Sequence, residues 1–197
     1  MKPYSESCDQ NRDAILAILR KLFADKTHIL EIGSGTGQHA VYFAQHLPHL
    51  IWQCSDQLAY HEGINQWLDE AKLDNTRPPI ALNVSTDNWP EINNDAVFSA
   101  NAVHIMSWEN VKDFIRNAGR ALPNKGLLVL YGPFNYNKQY TSESNARFDQ
   151  WLKQQNPASG IRDFEAIDGL AKEAGLVLRE DIAMPANNRI LCWIKDV

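Results

Sequence analysis

Apolar positions along the chain alternate between two rhythms. Ile15, Ile18, Leu19 and Leu22 fall at helical spacing and predict a helix over roughly Asn11 to Phe23. The polar dozen residues before it read as loop. His28-Ile29-Leu30-Glu31-Ile32 is a short apolar run ending at glycines, which predicts a buried strand. Ala40, Phe43, Ala44 and Leu47 return to helical spacing, and Pro48 stops that helix. Leu50–Cys54 predicts a second strand, and Ile64, Trp67, Leu68 and Ala71 another helix. A third strand is expected over Pro79–Val84 and a fourth over Ala96–Ala100. Trp108, Val111, Ile115, Ala118 and Leu122 mark an amphipathic helix with Ser107 as its N-cap. Leu127–Tyr131 is the fifth strand.

This strand–helix alternation predicts a parallel sheet with helices on both faces. Beyond Tyr131 the pattern changes. A helix is expected near Phe148, Trp151 and Leu152, then one capped by Asp163 and ended by Gly175. Two strands follow near Leu176–Ile182 and Arg189–Ile194 with no helix between them, and such a pair is antiparallel if adjacent. The expected class is α/β, a three-layer α/β/α architecture formed as a single domain over 1–197. Residues 1–12 are expected to form an N-terminal lid or loop segment.

Composition narrows the function by exclusion. The 197 residues are 44% hydrophobic and 22% charged, the balance of an ordinary globular chain. A formal net charge of −5 with no Lys/Arg run argues against a general grip on nucleic acid. No apolar stretch approaches the ~18 residues of a membrane span, and the N-terminus lacks a signal-like apolar region. No nucleic-acid or membrane partner and a cytoplasmic location are therefore expected. Oligomeric state is not legible. Cys8, Cys54 and Cys192 are too far apart for zinc spacing and read as reduced thiols, so no metal is expected.

The candidate chemistry lies after the first strand. Gly33-Ser34-Gly35-Thr36-Gly37 alternates glycines, letting the backbone turn sharply and approach a ligand closely. The helix that follows points its free N–H groups at the same place. Gly35 to Ala40 also fits the loose G-x-G-x-x-A dinucleotide pattern, so the loop alone does not choose a ligand. Glu31, two residues before the first glycine, suits a cationic ligand end and would repel a pyrophosphate. Asp56 closes the second strand, where a carboxylate accepts hydrogen bonds from ribose hydroxyls.

At these residues the chain resembles the class I S-adenosylmethionine-dependent methyltransferases. Leu30 to Ala40, Trp52 to Asp56, Tyr131-Gly132-Pro133-Phe134, Ser144-Asn145 with Phe148-Asp149, Gly160 to Asp163 and Met184 to Asn188 are similar to the family of methyltransferase-like protein twenty-six. The resemblance implies the Rossmann-like methyltransferase fold, with a mostly parallel seven-stranded sheet and an antiparallel C-terminal strand. It implies S-adenosyl-L-methionine as cofactor and methyl transfer to a small-molecule substrate. It does not imply which substrate. On its pattern the cofactor would be held by Asn11, Glu31, Gly33, Ser34, Gly35, Gly37, Asp56, Asn83, Val84 and Asn101. Two departures stand out: Gln10-Asn11 where the family has Arg-Asn, and Asn83 where an acid is usual.

Methyl transfer from an activated sulfonium needs a base only if the acceptor must lose a proton. Asn101-Ala102-Val103-His104 is not the motif of methyltransferases that act on exocyclic amines. His104 and Tyr131 are the candidate catalytic residues, His104 for its near-neutral titration and Tyr131 for its expected place near the crevice mouth. Asn145, Phe148, Arg162 and Asn187 are the candidate substrate-binding residues. They would offer amides, an aromatic wall and a cation to a small polar or anionic molecule. The alternative for this set is a group of loop-fixing contacts.

Overall fold

The computed structural model describes residues 2–85 and 89–196. A long first helix, α1 (Glu6–Leu22), precedes β1 (His28–Glu31), α2 (Gln38–His46), β2 (Ile51–Asp56), α3 (Leu58–Ala71) and β3 (Thr76–Ala81). Then follow β4 (Ala96–Ala100), α4 (Trp108–Ala121), β5 (Leu127–Gly132), β6 (Phe134–Asn135) and α5 (Glu143–Gln155). The chain ends with β7 (Arg162–Asp163), α6 (Phe164–Glu173), β8 (Leu176–Met184), a 3-10 turn at Pro185–Asn187, and β9 (Asn188–Lys195).

Seven strands form one sheet in the order β3-β2-β1-β4-β5-β9-β8. All are parallel except β9, which runs antiparallel to both β5 and β8. The expected α/β architecture with an antiparallel C-terminal strand is therefore present. β1 is central, pairing Leu30 with Gln53 on one side and with Val97 on the other. The chain winds outward from β1 in one direction to β3 and restarts at β4 in the other. The switch point between the ends of β1 and β4 is where such sheets bind ligands.

Two apolar clusters, one on each face of the sheet, make the three layers. One joins α1 and α2 to the sheet through Ile15, Leu19, Phe43, Trp52 and Phe98. The other joins α4 and α6 through Phe114, Ile115, Ile167, Leu128 and Trp193.

Three local expectations change. α1 begins at Glu6, so most of the expected loop at 1–12 is helix. Its first two turns carry Glu6, Asp9, Gln10 and Arg12, and apolar periodicity cannot register a polar stretch of helix. β3 runs Thr76–Ala81 rather than Pro79–Val84. It is the edge strand, and its pairing with β2 skips register between Gln53 and Ser55, opposite Pro78-Pro79. An edge with an irregularity is where a sheet admits proline. Asp163 occupies the N-cap position of α6 but makes no capping bond. It belongs instead to β7, which pairs with β6 in a small parallel ribbon that the sequence pattern does not reveal. Ser107 does cap α4, its hydroxyl accepting from the Asn110 amide at 3.2 Å. Gly175 ends α6 with φ +75°, as its sequence position suggests.

Candidate active site

A cavity of about 580 Å3 opens at the switch point. Its floor is the Gly33–Thr36 loop, and its flanks are the ends of β2, β3 and β4. The loop is tied to β2: the amides of Gly33 and Ser34 both donate to the Ser55 carbonyl at 3.0 Å. Gly33, Gly35 and Gly37 have φ of +74°, +58° and +90°, conformations that glycine adopts without steric cost. They serve different ends. A Cβ on Gly37 would lie 3.1 Å from the Ile64 backbone, so this glycine lets α2 approach α3. A Cβ on Gly35 would meet nothing within 4 Å. The backbone at Gly35 is open toward the cavity.

Asp56 lines the cavity and accepts the Gly35 amide at 2.8 Å and the Gln57 amide at 2.7 Å. Burial raises its pKa, and the two amides oppose that shift. Glu31 lies under the loop, only 2% exposed. Its Oε2 accepts from Ser34 Oγ at 2.8 Å and Trp52 Nε1 at 3.1 Å. Burial pushes its pKa up to about 7, against those two donors, and the Asp56 charge adds to the rise. Glu31 therefore supports the loop from beneath rather than lining the cavity.

Of the other expected cofactor residues, Gly33, Ser34, Asn83, Val84 and Asn101 line the cavity. Asn83 sits two residues past the end of β3, and its Oδ1 accepts from the Ser85 amide and hydroxyl at 3.1 and 2.8 Å. Asn101 has φ +55°, and its amide donates to the Tyr131 carbonyl at 2.9 Å, which aims the β4 end into the crevice. Asn11 does not line the cavity. Its Oδ1 lies 2.7 Å from His39 Nε2. Its place in the structure is to tie α1 to α2.

The expected catalytic and substrate residues fall outside the cavity wall. Tyr131 is 5% exposed in the core beneath α1, which corrects the expectation of a ring near the crevice mouth. His104 is buried, edge-on to Phe148 with ring centres 5.3 Å apart. Burial and then the Arg162 charge lower its pKa to about 4. The Arg162 guanidinium donates to the carbonyls of Met106 and Ala158 and lies over the Trp108 ring. Asn145 donates to the Asn187 carbonyl at 3.1 Å, and Asn187 donates to Ser144 Oγ at 3.3 Å. Phe148 stacks on Trp151. These residues make the loop-fixing set, joining α5, the 3-10 turn and the segment after β4.

The segment expected as an N-terminal lid or loop supplies lining residues, the roof of the cavity, that the sequence reading did not name. Ser5, Ser7 and Cys8 at the start of α1 line the cavity, with Tyr60, Ile105, Met106 and Asn156 around them. Gln38, the first residue of α2, holds the roof reciprocally: its Oε1 accepts the Ser5 amide at 2.6 Å and its Nε2 donates to the Ser5 carbonyl at 3.2 Å. Trp67 Nε1 donates to the Pro3 carbonyl at 2.7 Å, and Lys2 pairs with Glu70. The available signal was Ser5 followed by acids at Glu6 and Asp9, a helix-start pattern. His39 also lines the cavity, and burial lowers its pKa to about 4.

Solved structures share this architecture. S-adenosylmethionine-dependent methyltransferase SibL, in its apo form, superposes with a TM-score of 0.82 at 22% identity, over 97% of this chain and 56% of that one. An O-methyltransferase family protein from Burkholderia thailandensis gives 0.80 at 15% identity, over 94% and 58%. PigF with SAH gives 0.79 at 14% identity, over 93% and 61%. The chain thus spans little more than half the length of these proteins. Strand order, switch-point cavity and these superpositions together define the class I methyltransferase fold. Within it, the chain belongs to the family "Protein of unknown function (DUF938)", whose model matches residues 2–195.

Proposed function

We propose that the protein is an S-adenosylmethionine-dependent methyltransferase acting on a small molecule, within the group of methyltransferase-like protein twenty-six. We take 1–197 as one domain, with the Ser5–Cys8 roof as the part of segment 1–12 that closes over the cofactor. The observation that carries this reading is the open space over Gly35 beside the Asp56 carboxylate, on a loop that the buried Glu31 supports from beneath. A carboxylate at the end of the second strand suits the ribose hydroxyls of a nucleoside. Likeness to S-adenosylmethionine-dependent and O-methyltransferases supports the same choice.

On this reading Gly33, Ser34, Gly35, Asp56, Asn83, Val84 and Asn101 hold the cofactor. When bound, S-adenosylmethionine supplies an activated methyl group for in-line displacement. The chain's own contribution is positioning and exclusion of water. Asp56 orients the loop and offers a charged acceptor to hydroxyls. The roof and the Ile105–Met106 segment narrow the space beside the loop. Burial makes both imidazoles weakly basic, His39 Nε2 is engaged by Asn11, and His104 stands behind the wall, so we assign neither as a base. The test is calorimetric titration with S-adenosylhomocysteine and with NAD, followed by transfer of labelled methyl. Binding of NAD but not S-adenosylhomocysteine overturns the proposal. Binding without transfer leaves a non-catalytic member of the fold.

A further inference from the structure

Five of the six histidines have a hydrogen-bonded ring. His28, His39, His46, His49 and His61 each hold a ring nitrogen between 2.7 and 3.0 Å from an oxygen. His104 is the exception. It is 5% exposed, and its ring nitrogens make no hydrogen bond with the described residues, yet neither is sealed off from solvent-sized space. The structure around it is fixed: its carbonyl accepts the Gly160 amide at 2.9 Å, and Phe148 holds the ring edge-on. A Cβ built on Gly132, the last residue of β5, would lie 3.6 Å from His104 Nδ1 and 3.7 Å from Asn101 Oδ1. The two polar atoms thus approach one point. The Asn101 side chain is likewise without a hydrogen bond among the described residues, and Asn101 lines the cavity. Buried polar groups in folded proteins are paired, and an exception calls for an explanation.

Burial and the Arg162 charge keep the His104 ring neutral, so it carries one N–H and one bare nitrogen. Arg162 itself bonds to uncharged carbonyls, and Asp149, the acid that acts on it, is held by Lys153 and Tyr140. Its positive charge therefore persists beside His104. We infer that Asn101 and His104 form a subsite for the methyl acceptor, reached from the cavity past the Asn101 amide, and that the acceptor presents a hydroxyl to them. A hydroxyl donates to one of the two side chains and accepts from the other, which completes both. An ammonium group also donates, but the Arg162 charge disfavours it. His104 then holds the acceptor as a neutral partner and removes no proton. This rests on the methyltransferase reading of the same cavity.

The test incubates the full-length protein and methyl-labelled S-adenosylmethionine with a dilution series of a protein-free extract of cells that make the protein. His104→Phe removes the ring nitrogens and keeps the packing on Phe148; His104→Leu serves if the larger ring prevents folding, and His104→Gln keeps a donor and an acceptor. Loss of one hydrogen bond should raise the extract concentration for half-maximal labelling about tenfold, with S-adenosylhomocysteine affinity within about twofold of wild type. His104→Gln should restore part of that loss. Extract capped on its amines with an N-hydroxysuccinimide ester should keep its acceptor activity, and extract acetylated in dry pyridine, where hydroxyls react too, should lose it. Unchanged extract dependence, or an equal loss of S-adenosylhomocysteine affinity, overturns the subsite and leaves methyl transfer standing. Loss on amine capping, or survival of the pyridine treatment, overturns the hydroxyl. Absence of protein-dependent label with wild type overturns the methyltransferase reading, and the inference with it.

Discussion

Gly35→Ala separates binding from folding, because among the three glycines of the loop this is the one whose side-chain space is open. The new Cβ meets no atom within 4 Å, so no packing is disturbed. What changes is the backbone preference: φ is +58°, in the left-handed region. Holding an L-residue there costs roughly 1–2 kcal/mol, and the stiffer unfolded chain returns about 0.4–1 kcal/mol of it. A net loss near 1 kcal/mol lowers the melting temperature of a chain this size by about 2–4 °C. The methyl group, however, stands where a ligand would lie against the loop. Affinity for S-adenosylhomocysteine is expected to fall at least tenfold by calorimetry. Gly37→Ala is the contrasting case. Its Cβ would press on Ile64 backbone atoms at 3.1 and 3.3 Å, so folding suffers before binding does. If folded Gly35→Ala binds S-adenosylhomocysteine within twofold of wild type, the ligand does not lie on this loop, and the functional reading fails with it.

Asp56→Asn keeps an acceptor for the Gly35 amide but removes the charge. A charge-assisted bond contributes about 1.5–3 kcal/mol, so S-adenosylhomocysteine affinity should drop roughly tenfold or more, and unchanged affinity would show that Asp56 only braces the loop. Glu31 carries a pH signature. Its carboxyl titrates at about 7 when folded against the usual 4.5, so the folded chain holds the extra proton between those values and stability falls as pH rises through that window. Glu31→Gln should flatten the ligand-free melting curve from pH 5 to 8 relative to wild type; parallel curves for the two proteins would refute the shift. Gln38→Ala cuts both bonds to Ser5, leaving the roof held by Trp67 and Lys2. Hydrogen exchange at residues 5–8 and release of S-adenosylhomocysteine should both quicken several-fold, and a change in neither would mean that the roof is not a closure.

How much of this was legible in the sequence depended on where the information lies. Buried parallel strands are continuous apolar runs, so β1, β4 and β5 stand out. The Gly33–Gly37 loop was legible because its glycines are a backbone requirement, and backbone requirements are local. Asp56 was legible because the end of the second strand has one place in this topology. α1 was half legible: its apolar stripe shows from Ile15 onward, while its first two turns are polar and carry the cavity roof. Long-range pairing was invisible. Nothing near Arg162 in sequence says that one of its partners is the carbonyl of Met106, 56 residues away.

The expectations at Tyr131, His104 and Arg162 share one basis. Each was judged by residue type and by its position along a strand or loop, and type gives the chemistry a side chain offers, not what the fold leaves of it. Tyr131 is buried in the core beneath α1, burial makes His104 a weak base, and Arg162 Nη2 donates to two backbone carbonyls while its buried Nε has no partner among the described residues. A reactive side chain becomes a functional one only if packing leaves its polar atoms facing open space. Here the space over Gly35 is open, Asp56 lines the wall with its two oxygens accepting the Gly35 and Gln57 amides, and the lining beside them offers hydroxyl, thiol and amide groups, which on the proposed reading position an acceptor rather than remove its proton.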